Sequence, residues 1–210
     1  MRLTVFGGTG RVGRQLLSQA LRNGHDVAVL ARDPGRLPPH SRLRPVRGDV
    51  RDPVSVRQAI AGADAVLSAL GQRSFTKVTV CADGIRTILP AMDTLGVRRL
   101  IAVSGYGVAD SRGNLYSAIA WTAIRPMMRD KEAMEEQIRG SAADWTIVRP
   151  AILTNGALTG VYRTGTALRL TPVSRISCAD VAHFMLGALF DQRSVRRALA
   201  IGPGKLSSGS

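Results

Sequence analysis

The chain has 210 residues, 45% of them hydrophobic and 21% charged, a globular composition long enough to bury a core. Two cysteines, Cys81 and Cys178, exclude a disulfide scaffold and a four-cysteine zinc site, and no uncharged apolar run reaches membrane-spanning length. Lys and Arg total 29 against 15 Asp and Glu, a net charge of +14, but the excess is scattered arginine and aromatics are only 4%, which argues against a base-stacking nucleic-acid surface.

Short apolar runs alternate with longer amphipathic ones, the pattern of an α/β chain. Leu3-Thr4-Val5-Phe6 reads as a buried first strand, and residues 11–23 as a helix with Val12, Leu16, Leu17, Ala20 and Leu21 on one face, stopped at Gly24. Residues 26–30 form the second strand. A short third strand at 44–48 contains Pro45, which places it at a sheet edge. Asp52 opens a short helix over 53–61. A fourth strand covers 65–70, and a long helix 76–95 has Pro90 inside it. The fifth and sixth strands are 100–103 and 145–148, with helical segments broken near Pro126 between them. Periodicity is lost from Ala151 to Arg175. Ser177-Cys178-Ala179-Asp180 then caps a helix with Val181, Phe184, Met185, Ala188 and Leu189 as its apolar stripe. A last strand at 198–201 precedes a small polar tail.

This order predicts a Rossmann-like, doubly wound parallel sheet with helices on both faces. Residues 1–203 form one domain, 151–175 its substrate-covering loops and 204–210 a flexible tail. The start Met1-Arg2-Leu3-Thr4-Val5-Phe6-Gly7 leaves no room for a signal-peptide core, so the expected compartment is the cytoplasm. The expected assembly is a monomer or weak homo-oligomer.

Gly7-Gly8-Thr9-Gly10-Arg11-Val12-Gly13 falls between the first strand and the first helix. A turn there must fold back sharply, bring a pyrophosphate against the backbone and let the helix pack close to the sheet, and each demand favours a residue without Cβ. The following helix start offers free N–H groups and a positive dipole to phosphates. The spacing G-x-x-G-x-x-G makes Gly7, Thr9, Gly10, Arg11, Val12 and Gly13 the expected dinucleotide contacts. The second strand ends Leu30-Ala31-Arg32-Asp33. Ala31 stands where an acid would hold the ribose 2′-hydroxyl of NAD, and Arg32 follows, suited to pairing with a 2′-phosphate. Arg36 lies one turn further and would flank the same phosphate or stand solvated. NADP(H) is therefore the expected cofactor, with Asp33 as ribose acid if the strand slips by one residue.

The glycine spacing, Val29-Leu30-Ala31-Arg32-Asp33, Gly48-Asp49-Val50, Leu70-Gly71-Gln72-Arg73, Pro150-Ala151-Ile152-Leu153, Leu158-Thr159-Gly160-Val161-Tyr162, Ser174-Arg175-Ile176-Ser177 and Phe184-Met185-Leu186 resemble the NAD(P)H-binding atypical short-chain dehydrogenase/reductase family, in particular its flavin reductase/biliverdin-IXβ reductase type, over residues 1 to about 200. The resemblance implies that Asp49 and Val50 face the adenine, that Leu70 and Gly71 line the adenosine side, and that Arg73 lies over the pyrophosphate or substrate. It puts Ser104 beside the nicotinamide, with Pro150 and Ile152 shaping that pocket. The superfamily's Tyr-x-x-x-Lys is missing at Tyr106, followed by Asp110, and at Tyr116, followed by Ala120. Ser104, Tyr106 and Lys131 remain as catalytic candidates. A lysine near this helix start acts at the substrate in isoflavone-reductase-like relatives, and the alternative for Lys131 is a surface position on a charged helix.

The implied activity is an NADPH-dependent reductase passing hydride to a small planar conjugated acceptor: a flavin, quinone or tetrapyrrole. The alternatives are a non-catalytic NAD(P) redox sensor, as in nitrogen-metabolite-repressor-like relatives, and an epimerase-like enzyme with tightly held cofactor. The three histidines show no metal-ligand spacing.

Overall fold

In a computed structural model, residues 1–71, 79–109 and 125–204 are described. Ten strands are found among them: β1 (Arg2–Phe6), β2 (Asp26–Ala31), β3 (Leu43–Arg47), β4 (Ala65–Ser68), β5 (Arg99–Val103), β6 (Asp144–Pro150), β7 (Ile152–Thr154), β8 (Tyr162–Gly165), β9 (Arg175–Ser177) and β10 (Arg197–Pro203). The helices are α1 (Arg11–Arg22), α2 (Pro53–Ile60), α3 (Val80–Thr94), α4 (Arg125–Arg139) and α5 (Cys178–Ala188). The main sheet runs β3-β2-β1-β4-β5-β6-β10-β8. All its pairings are parallel except β10 with β8. This is the doubly wound order, with its switch point between β1 and β4.

Alternation along the strands feeds two cores. Leu3, Val5, Val29 and Leu67 meet Leu16 and Leu17 of α1 and Val181 and Met185 of α5. Phe6, Leu30 and Val66 meet Ile60 of α2, Ile85 and Ile88 of α3, and Met134 and Ile138 of α4. Successive strand residues point to opposite faces, so a sheet covered on both sides reads as continuous apolar runs, as these do.

Local signals set the boundaries. The Asp52 carboxylate accepts the N–H groups of Val54 and Ser55 at the start of α2, both at 3.1 Å. Gly24, at φ +78°, follows α1, and the Ser177 hydroxyl caps α5 by accepting the Asp180 N–H at 2.8 Å. β3 lies at the sheet edge, where Pro45 costs no ladder bond.

Two expectations are corrected. The fourth strand ends at Ser68, not Leu70, because Leu70 turns into the second core. Residues 151–175 are not all loop: β7 pairs with β9, and β8 extends the main sheet antiparallel to β10. Tyr162-Arg163-Thr164-Gly165 has no apolar periodicity, so it becomes a strand only through its partner. α3 runs unbroken past Pro90; positions 76–78 of the expected helix lie outside the described residues.

Candidate functional site

The site begins at the switch point. Gly7 adopts φ +79°, and a Cβ there would overlap the Ala69 carbonyl of the neighbouring strand end. A Cβ at Gly13 would overlap the Gly7 carbonyl, so α1 can pack this close only with glycine there. The Gly10 N–H donates to Gly7 O at 2.9 Å. Gly10 is the N-cap of α1, no side chain caps the helix, and no acid occupies its first turn. The positive end of α1 therefore faces the crevice uncompensated. Gly71, after β4, has nothing within 4 Å of where its Cβ would stand. Half-buried Thr9 lies on the turn, and Val12 belongs to the first core. Arg11 turns across the turn to the loop after β7, donating to Asn155 Oδ1 at 2.8 Å and Leu153 O at 3.1 Å.

At the end of β2, Arg32 and Arg36 are exposed. Asp33 is held elsewhere: it caps a short 3-10 turn, Pro34–Arg36, and its carboxylate accepts the Gly35 N–H at 3.2 Å. Beside Arg36 a cleft of about 620 Å³ opens between α1 and residues 35–40, and Arg14 also lines it. Asp49 accepts the Arg51 N–H at 2.9 Å, the geometry of an Asx turn. Val50 and Leu70 are buried together, backed by Gly84 of α3, where a Cβ would stand 2.5 Å from Leu70 Cδ1 and 3.0 Å from Val50 Cγ2. Arg73 lies outside the described residues.

The other half of the crevice lies past β5 and β6. The Ser104 N–H bonds Val148 O at 2.7 Å, and its side chain is buried, 3% exposed. Among the described residues its Oγ has no hydrogen-bond partner, and neither has that of Ser68 at the end of β4. Lys131 is not a surface lysine: it is 8% exposed and Nζ donates to Val103 O at 3.3 Å. Its Cδ lies 3.6 Å from where a Gly105 Cβ would stand, so Ser104 and Lys131 meet at one strand end. Tyr106 departs from them. Its ring joins the first core, and its phenol oxygen accepts the Leu170 N–H at 3.2 Å, tying the 166–174 loop to the sheet. Pro150 is buried with its carbonyl on the Tyr106 N–H, and half-buried Ile152 donates its N–H to Ser174 O.

A buried charge network supports this end. Asp130, 4% exposed, accepts the N–H groups of Cys81 and Ala82 at 3.0 and 2.9 Å, so the second turn of α4 caps α3 and fixes Lys131 next in line. Glu135 and Arg149 form a bidentate pair at 3.0 and 2.5 Å. Burial pushes the Cys81 thiol up to about 12 and also raises Cys178, so neither acts as a nucleophile at neutral pH. Burial raises the Asp180 carboxyl, but donors from Ser177, Gly160 and Thr159 outweigh it and hold the group below its ordinary range. These bonds clamp the 159–160 turn to the start of α5.

The sequence matches the family described as NAD(P)H-binding over residues 7–192. The chain belongs to the NAD(P)H-binding family. Among its relatives is the photosystem II assembly factor Ycf39 of Synechocystis, 26% identical over 90% of this chain and 58% of that protein. The chain spans about a third to three fifths of the length of the first curated relatives it matches. Among solved structures, a wide-type short-chain dehydrogenase/reductase from Veillonella parvula in complex with NADP superposes with TM-score 0.83 at 18% identity, covering 100% of this chain and 96% of that one. The anaerobillin reductase ChuY of Escherichia coli O157:H7 superposes with TM-score 0.82 at 21% identity, covering 100% of both. These two show the fold.

In this NAD(P)H-binding chain, the expected positions from Gly7 to Gly13, Arg32, Asp49, Val50, Leu70 and Gly71 sit at the carboxyl ends of β1 to β4. Ser104, Lys131, Pro150 and Ile152 sit at or past the carboxyl ends of β5 and β6. The Tyr106 phenol is drawn away. The sequence reading missed Asp130, the Glu135–Arg149 pair, Asn155 and the clamp by Asp180. Arg149 carried a usable signal, as a charge closing an otherwise apolar central strand needs a buried partner. Among the described residues no helix is long and apolar enough to cross a membrane, and no three His, Cys, Asp or Glu side chains cluster to hold a metal.

Proposed function

We propose that the protein is an NADPH-dependent reductase acting on a planar conjugated acceptor such as a flavin, quinone or tetrapyrrole. The observation that carries the choice of NADPH is at the end of β2. The acid that follows β2, Asp33, is turned onto the Gly35 N–H, while Arg32 and Arg36 stand exposed beside it. An arginine pair favours a 2′-phosphate over a 2′-hydroxyl. The uncapped start of α1 and the close glycine turn suit a pyrophosphate, and the Val50–Leu70 wall suits an adenine.

When bound, the nicotinamide supplies a hydride. The chain's own residues then have three tasks. Pro150 and Ile152 would wall the ring. Ser104 would orient the acceptor, since a buried hydroxyl without a protein partner is set to bond a ligand. Lys131, or solvent, would deliver the proton that completes a two-electron reduction. With the Tyr106 ring packed in the first core and its oxygen accepting the Leu170 N–H, this scheme uses no tyrosine donor. Residues 1–203 would act as one unit, with 151–175 covering the acceptor.

The burial of the Tyr106 ring in the first core favours one second reading: a protein that binds NAD(P) and acts through a partner without turnover. A relative named as an assembly factor fits that reading. NADPH consumption with flavin mononucleotide and a soluble quinone separates the two. Stoichiometric oxidation of NADPH, faster than that of NADH, is expected of the reductase. Binding of NADPH with no acceptor-dependent oxidation would rule it out.

A further inference from the structure

Residues 151–177 carry Arg163, Arg169 and Arg175 and not one Asp or Glu. All three arginines are exposed. So are Leu158, Val161 and Val173 of the same segment, three of the seven exposed large hydrophobics among the described residues. The nearest acid in sequence, Asp180, is no counter-ion for them. It is buried, and its oxygens accept from Ser177, Thr159 and Gly160. An acid-free segment that exposes both cations and apolar side chains is complementary to a flat ligand bearing anionic groups at its edge.

The three arginines are not equivalent. Arg163 bends back to donate to Pro203 O at 3.2 Å. Arg169 precedes the buried Leu170, whose N–H is held by Tyr106. Arg175 opens β9 directly opposite Ile152 of β7. Paired residues of adjacent strands project to the same face, so the Arg175 side chain rises beside Ile152, which follows directly on the end of β6, the strand whose Val148 and Pro150 carbonyls take the Ser104 and Tyr106 N–H groups. The ribbon is pinned there, with Ile152 N–H on Ser174 O at 3.2 Å.

We infer that Arg175 is a specificity-determining residue that binds a carboxylate or phosphate on the acceptor, and that the protein selects anionic planar acceptors over neutral ones of the same ring system. The inference rests on reading this crevice as an acceptor site, and its test is therefore a binding measurement that needs no turnover.

Protein saturated with NADP⁺, so that the phosphate cradle of α1 is filled, is titrated with riboflavin and with flavin mononucleotide, read by flavin fluorescence. The two share one ring and differ in a phosphate. A second pair, 2-(hydroxymethyl)anthraquinone and anthraquinone-2-carboxylate, separates a carboxylate requirement from a phosphate one. The wild type should bind the anionic member of at least one pair about 5- to 20-fold more tightly, the range for a partly exposed, charge-assisted arginine contact. In Arg175→Ala that preference should collapse towards unity while the neutral member binds as before, and Arg175→Lys should restore part of it. Equal binding of neutral and anionic members in the wild type overturns the inference. So does an undiminished preference in Arg175→Ala, even if Arg169→Ala abolishes it. NADPH oxidation is recorded separately. Preference through Arg175 without any oxidation would keep the anion site and remove the reductase reading, whereas oxidation of neutral and anionic acceptors alike, with equal affinities, would do the reverse.

Discussion

Ser104→Ala should raise stability and lower activity at once. The Ser104 Oγ is buried and has no partner among the described residues. A buried hydroxyl left unbonded costs about 1–3 kcal/mol. Alanine keeps the Cβ and removes only the oxygen, and the void it leaves costs about 0.3 kcal/mol. The balance favours the variant by about 1–2 kcal/mol, or roughly 3–6 °C in Tm for a chain of this size. If the same hydroxyl bonds the acceptor in the transition state, its loss should lower kcat by about 10- to 100-fold. Affinity for NADPH should hold, because Ser104 lies past β5, away from the glycine turn and the β2 arginines. Thermal and urea unfolding give the first number, and steady-state kinetics with direct NADPH titration give the others. A Tm that falls by several degrees would mean that the hydroxyl is bonded within the protein. An unchanged kcat would remove Ser104 from the reaction.

Other outcomes follow from the same geometry. Gly13→Ala puts a Cβ into the Gly7 carbonyl; overpacking of this kind costs about 1–3 kcal/mol, and dinucleotide affinity should drop at least about tenfold, measured by titration on the folded variant. Glu135→Gln removes the carboxylate charge that is paired bidentately with the buried Arg149 guanidinium, so urea unfolding should show a loss of about 3–5 kcal/mol, largely recovered in the double variant Glu135→Met, Arg149→Met. The Asp180 carboxyl is held below its ordinary range in the folded state. Its contribution is therefore present above the unfolded value of about 3.9 and is lost as pH falls through the lower folded value. Asp180→Asn should lack this contribution at neutral pH and show a shallower loss of stability in acid; parallel acid slopes for the two proteins would dismiss the clamp.

The legible part of this chain is the part governed by local rules. The glycine turn, the Asp52 and Ser177 caps, the edge proline in β3 and the buried runs of β1, β2, β4 and β5 each follow from one or two residues and their immediate neighbours. What escaped depends on partners far away in sequence. β8 has no buried residue and exists as a strand because β10 offers its edge. Lys131 sits in a strongly charged stretch, yet it is buried because Asp130 caps α3 across 48 and 49 residues. Tyr106 looks free in sequence beside Ser104, but its phenol is bonded to Leu170, 64 residues on. Arg32 was readable in sequence but its competitor Asp33 was not dismissed there. Only the bond to the Gly35 N–H shows where that carboxylate is committed.

The most direct test of the account is the relative affinity for NADPH and NADH in the wild type and in Arg32→Ala, at one fixed ionic strength. Tighter binding of NADPH is expected in the wild type. Arg32→Ala should lose about 1.5–3 kcal/mol of that affinity, the range for a hydrogen bond to a charged group, and leave NADH nearly unchanged. Tighter binding of NADH by the wild type, or an Arg32→Ala variant that keeps its full preference for NADPH, would contradict the account.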